Sequence, residues 1–100
     1  MKKYEYSDLM NSPHFYTEKK AQEFLAHANL EHLEIYPAII ESGFFGNVIH
    51  YYIIAENPAQ NAQLHKLSSR FRHETGEENI IEIYEKGNIF KKDKIITIKI

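Results

Sequence analysis

The chain has 100 residues, 43% hydrophobic and 26% charged, and a net charge of −2 with histidines neutral. That is the length and composition of a single globular domain over residues 1–100, with enough chain to bury one core without staples. The mild charge argues against a strongly basic nucleic-acid binder and against an extreme acidic mimic of DNA. The absence of cysteine excludes disulfides, thiolate zinc sites and cysteine nucleophiles. No apolar run approaches the roughly 20 residues that span a bilayer, and no apolar core of a signal peptide follows the start. The expectation is a cytoplasmic protein without a membrane partner.

In chain order, Lys3-Tyr4-Glu5-Tyr6 alternates as a short strand would, while Ser7-Asp8-Leu9-Met10 fits a helical turn. Both readings stay open. Asn11-Ser12-Pro13 is a break. Thr17 then caps a helix over about Glu18–Asn29, whose core stripe is Ala21, Phe24, Leu25 and Ala28. Leu33-Glu34-Ile35-Tyr36 alternates as a half-buried strand, and Ile39 and Ile40 continue it. Pro37 lacks a donor, so this strand is expected at an edge or beside a bulge. Glu41–Asn47 is a loop with two glycines, joining it as a hairpin to the strand Val48–Ile54.

The clearest unit comes next. Asn57 can cap a helix, Pro58 suits its first position, and Gln60 completes a capping box. Leu64, Leu67 and Phe71 form the core stripe, and Gly76 supplies a left-handed stop. The other arc of this helix carries His65, Lys66, Arg70, Arg72 and His73. Ser68-Ser69 reads as a solvent-facing pair. After a loop at Glu77-Glu78-Asn79, Ile80–Tyr84 is a strand, Lys86-Gly87-Asn88 a turn, and Lys94–Ile100 a last strand.

The order is (β)αββαββ. Each helix has one apolar stripe, so each covers one sheet face, and both are expected on the same side. The fold class is therefore α+β, a two-layer sandwich with a mostly antiparallel sheet. With the first strand present, the first six elements match the ferredoxin-like order βαββαβ.

Strand side chains alternate between faces. With Leu33, Ile35, Ile49, Tyr51, Ile53, Ile81, Ile83, Ile96 and Ile98 turned to the helices, the open face carries Glu34, Tyr36, His50, Tyr52, Glu82, Tyr84, Thr97 and Lys99. Tyrosines are strand formers and cross-strand partners in their own right. An uncovered set of Tyr36, His50, Tyr52 and Tyr84 is also the composition of a binding surface, for a second copy or another protein. Base stacking is disfavoured, because Glu34 and Glu82 would repel phosphate.

Two further features suit a protein partner. Phe44 and Phe45 stand between glycines in a hairpin loop and would anchor a partner if exposed, the equal alternative being that they fold back over the end of the core. Lys66, Arg70 and Arg72 would meet phosphates or an acidic protein surface, although a charged helix face is usually just solvated and Glu74, Glu77 and Glu78 dilute this one. Of the six histidines, no pair has the i, i+4 spacing of a helical zinc motif, so no metal is expected, and no cofactor. His50 with Glu56 or Glu82 would make an acid–base pair, but no nucleophile is placed beside it by spacing. The expectation is a binding protein and not an enzyme.

The stretch His50–Ile83 resembles part of the type II-C anti-CRISPR proteins. The shared pattern is an aromatic-rich strand, Asn57-Pro58-Ala59, a helix with Leu64, Leu67 and Phe71, Thr75-Gly76 and an isoleucine strand, with Ile98-Lys99-Ile100 as a similar ending. The resemblance implies a small non-enzymatic inhibitor, phage-encoded, that binds a nuclease domain, and it transfers no site residues. A bacterial immunity protein or antitoxin is the rival within the binding class. A nucleic-acid module and a small enzyme are rivals outside it.

Overall fold

A computed structural model describes residues 4–76 and 79–100. Its elements in order are α1 (Tyr6–Leu9), β1 (His14–Phe15), α2 (Glu18–Ala28), β2 (Glu34–Ser42), β3 (Gly46–Ile54), α3 (Pro58–Thr75), β4 (Ile80–Glu85) and β5 (Lys94–Lys99). The described residues form an α+β fold with an open antiparallel sheet of five strands.

The local signals act as the sequence suggests. The Thr17 side chain accepts from the Lys20 N–H at the start of α2, and Asn29 closes that helix in the left-handed region at φ 52. Asn57 accepts from the Gln60 N–H at 2.9 Å, while Gln60 reaches back to the Glu56 N–H at 2.7 Å. This reciprocal pair is a capping box displaced by one residue from the usual form. The Gln60 amide also donates to the Glu31 carbonyl at 3.0 Å, tying α3 to the segment before β2.

The start of the chain differs from expectation. Part of the strand read at Lys3–Tyr6 lies outside the described residues, and Tyr6 opens a helical turn. The first strand is instead His14–Phe15, directly after the break at Pro13. Pro13 can give only its carbonyl, and that carbonyl accepts from the Ile53 N–H at 2.9 Å. Glu77 and Glu78, read as loop, also lie outside the described residues.

β3 is the middle of the sheet. β2 occupies one edge along its whole length, from Ser42 opposite Gly46 to Glu34 opposite Ile54. The other edge is shared. β1 takes Tyr51 and Tyr52, and β4 takes Val48 and Ile49. β5 then pairs with β4 and ends the sheet. This arrangement does not establish the ferredoxin-like order, because β4 joins β3 end-on with β1 and a fifth strand follows.

Both long helices lie on one face. Phe24 of α2 and Leu64 and Phe71 of α3 are buried with Phe15, Ile49, Tyr51 and Ile53. Ser68 lies inside this helix stripe and is buried, with its hydroxyl on the His65 carbonyl, so it is not the solvent-facing residue expected. Leu67 is only half-buried at the margin.

Register corrects the faces of β4 and β5. Ile49 stands opposite Glu82, and Val48 opposite Ile83. Glu82 and Tyr84 therefore share the helix side, and Ile81 and Ile83 the other. In β5, Thr97 and Lys99 follow Glu82, while Ile96 and Ile98 follow Ile83 and Ile81. A shift of one residue exchanges every side chain between faces, which is why the two strands invert together.

Candidate protein-binding surface

The face away from α2 and α3 has two halves. Over one half lies the segment before β1. Leu9 is buried there with Ala38 and Tyr52, and Tyr4, Tyr36, Ile40 and Ile54 pack around them. Tyr52 is only 7% exposed. Tyr36 meets the ring of Tyr4 edge-on at 5.0 Å. The Tyr4 hydroxyl donates to Glu34 at 2.7 Å, and that bond raises the phenol's pKa. The tyrosine patch expected to face solvent is thus largely an internal surface. Its cover, a single short helical turn, has no stripe that periodicity can detect.

Tyr84 is on the opposite face. It packs at the margin of the main core, and its hydroxyl donates to Asp93 at 2.5 Å. Glu82 also lies inward. It accepts from the Tyr51 hydroxyl and, at 3.4 Å, from the Glu18 N–H at the start of α2. Burial first, and then this carboxylate, push the Tyr51 phenol well up.

His50 belongs to an aromatic group between the two halves. His14 and His50 stack with centroids 4.8 Å apart and planes 14° from parallel. Tyr16 stands edge-on to both rings, and Tyr52 is tilted against His14. Burial, then the neighbouring His50 and Arg72, pushes the His14 pKa down to about 4. Burial lowers that of His50 as well. The pair is therefore neutral near pH 7. No group of three or more histidine, cysteine or acidic side chains among the described residues is placed to hold a metal ion.

The second half carries Ile81, Ile83, Ile96 and Ile98. All four are half-buried, and none belongs to either core cluster. They are directly paired, Ile81 with Ile98 and Ile83 with Ile96, and Val48 and Ile40 continue the second row across the sheet. This is an aliphatic surface outside the cluster that Leu9 of α1 forms. Sequence reading placed these isoleucines in the core, and only the register with β3 reveals otherwise.

Both hairpins, β2–β3 and β4–β5, end on the same side of the sheet, because β3 begins where β4 finishes. Ile39 and Ile95 are on the helix side yet more than half exposed. Phe44 is 87% exposed at one tip, edge-on to a half-buried Phe45. Ser42 holds that tip by accepting from the Phe44 and Phe45 N–H groups, and Gly46, at φ +78, supplies the left-handed residue of a three-residue hairpin.

At the other tip Ile89 and Phe90 are 91% and 87% exposed. They stand on a bonded frame. Asn88 accepts from the Phe90 and Lys91 N–H groups, and Asp93 accepts from Gly87 at 2.6 Å. Lys86, Lys91, Lys92 and Lys94 flank them in the chain. Sequence reading missed this pair, although Gly87-Asn88-Ile89-Phe90 repeats the signal of two apolar residues beside a glycine turn.

The basic arc of α3 is smaller than expected. Lys66 and Arg70 are exposed. Arg72 turns inward, donates to the His14 carbonyl and lies over the Phe15 ring at 4.6 Å. His65 meets the Asn11 carbonyl at 2.7 Å. Between β1 and β4, where the two strands share an edge of β3, a cleft of about 330 Å³ opens over Phe15, Ile80 and Ile81, with Lys20 and Arg72 on its wall.

No family model matches the chain, and no curated protein or solved structure matches it either. No helix among the described residues is long and apolar enough to cross a membrane.

Proposed function

We propose that this domain acts by binding another protein, through the isoleucine half of the sheet face opposite α2 and α3. The observation that supports this reading is the paired set Ile81–Ile98 and Ile83–Ile96, none of which belongs to either core cluster. Contiguous aliphatic surface of this kind is characteristic of interaction sites. Phe44, Ile89 and Phe90 at the adjoining sheet end are suited to be anchors, since large apolar side chains in partner pockets dominate interface energy. The four lysines around Ile89 and Phe90 favour a partner whose rim is acidic. Tyr52 and Tyr84 are not part of this surface, and Arg72 has a structural role.

The resemblance to type II-C anti-CRISPR proteins makes a nuclease of that system the partner to try first. It carries the finer reading of a phage-encoded inhibitor that works without catalysis. The test is capture of a purified type II-C CRISPR nuclease by the wild-type chain and by an Ile83→Asp, Ile96→Asp variant. Capture by the wild type and its loss in the folded variant support both readings. No capture by the wild type overturns the inhibitor reading. Undiminished capture by the folded variant overturns the surface.

A further inference from the structure

The outer edge of β5 has no strand beside it among the described residues. Its hydrogen-bonding pattern follows from one bond. The Ile100 N–H donates to the Asn79 carbonyl at 2.6 Å, in continuation of the pairing Ile80 with Lys99. In an antiparallel ladder, alternate residues bond to alternate sides. Ile98, Ile96 and Lys94 therefore direct their backbone groups to β4. Lys99, Thr97 and Ile95 direct theirs outward.

We propose that two copies of this chain pair antiparallel through β5, with the twofold axis at Thr97. In this register Thr97 faces Thr97 of the second copy, and Ile95 faces Lys99 on either side. These are the outward-pointing residues, so all three positions form bonded pairs. Centring the axis one residue earlier, at Ile96, leaves only the two Ile95–Thr97 pairs among the outward-pointing residues of β5.

Side chains favour the same register. Ile96 falls opposite Ile98 of the second copy on the isoleucine face. The row Val48, Ile83, Ile96 then runs on into Ile98 and Ile81 of the second copy, without a polar interruption. Lysines on an edge strand normally oppose pairing. Here no lysine faces another: Lys99 meets Ile95, and Lys94, with its ammonium 3.6 Å from Glu85, falls opposite Ile100. The continuous aliphatic row, with no lysine set against another, favours a second copy over an unrelated strand.

The inference rests on the backbone and is independent of the nuclease reading, since it is tested without a partner. Light scattering should give twice the mass of one chain, falling to one on dilution. Thr97→Pro removes an outward N–H and no bond to β4, so it should yield a folded monomer. The chain has no cysteine. Thr97→Cys should therefore give one disulfide-linked dimer on mild oxidation, because a bonded pair holds its Cα atoms about 5.5 Å apart, within disulfide range. Ile95→Cys should stay unlinked. If Thr97→Pro fails to fold, the two cysteine variants decide. A monomer at every concentration with Thr97→Cys unlinked overturns the proposal. So does a dimer that persists in folded Thr97→Pro, or equal linking at both cysteines.

Discussion

At the residue scale, the stacked histidines link burial to acid sensitivity. His14 ionises near 4 in the folded chain and near 6.5 ordinarily, with burial as the main cause and His50 and Arg72 adding repulsion. Between those values the unfolded chain binds more protons, so stability rises with pH across that window. It is complete above about 6.5 and declines as pH falls toward 4. His50 is shifted in the same direction. The urea midpoint should accordingly drop between pH 7 and pH 5, and His14→Phe, which keeps a ring against His50, should flatten that dependence. An unchanged slope in the variant would remove His14 from the account. His50 was legible on this face from alternation alone. His14 was not, because a two-residue strand behind Asn11-Ser12-Pro13 has no period to read.

At the scale of elements, caps and turns were the most legible features, since each is a local rule carried by one or two side chains. Thr17, Asn57 and Pro58 mark the starts of α2 and α3 as expected, and Gly76 ends α3 at a positive φ of 76 but with an extended ψ of 156, not as the left-handed stop expected. Strand faces were less legible. Ile80-Ile81-Glu82-Ile83-Tyr84 permits two alternations, and hydrophobicity favours the one with Ile81 and Ile83 inward. The other occurs because Glu82 finds Tyr51 and the start of α2, while Tyr84 reaches the core margin and Asp93. The loop from Lys86 to Asp93 depends on Gly87, where a Cβ would run into the backbone carbonyl of Lys91. Backbone cannot retreat as a side-chain tip can. Gly87→Ala should therefore destabilise the domain by about 1–3 kcal/mol, the usual cost of overpacking, read as a lower urea midpoint. It should also loosen the Gly87–Asp93 bond, seen as faster exchange of that amide. An unaltered midpoint with a protected amide would show that the turn accommodates the methyl group.

At the scale of the whole molecule, the face opposite α2 and α3 is divided by a short segment. Leu9, 4% exposed, holds α1 against Ala38 and Tyr52, while Ile81, Ile83, Ile96 and Ile98 lie outside that cluster. The sequence pointed to an open face used for binding but assigned it the tyrosines, because α1 is too short for amphipathic periodicity. Leu9→Ala separates the two halves. It removes the main apolar contact of α1 and should cost about 2 kcal/mol, the lower part of the range for a buried leucine, because a short segment can undock locally. The chain has no tryptophan, so tyrosine emission reports directly. Undocking should expose Tyr36 and Tyr52 and increase quenching by acrylamide. Unchanged quenching and an unchanged midpoint would mean that Leu9 does not hold the cover. Partner capture then discriminates between the halves. Binding through the isoleucines should be indifferent to Leu9→Ala, whereas binding through the tyrosines should strengthen as their cover loosens. A gain in capture, in a variant that remains folded, would transfer the binding surface from β4 and β5 to β2 and β3.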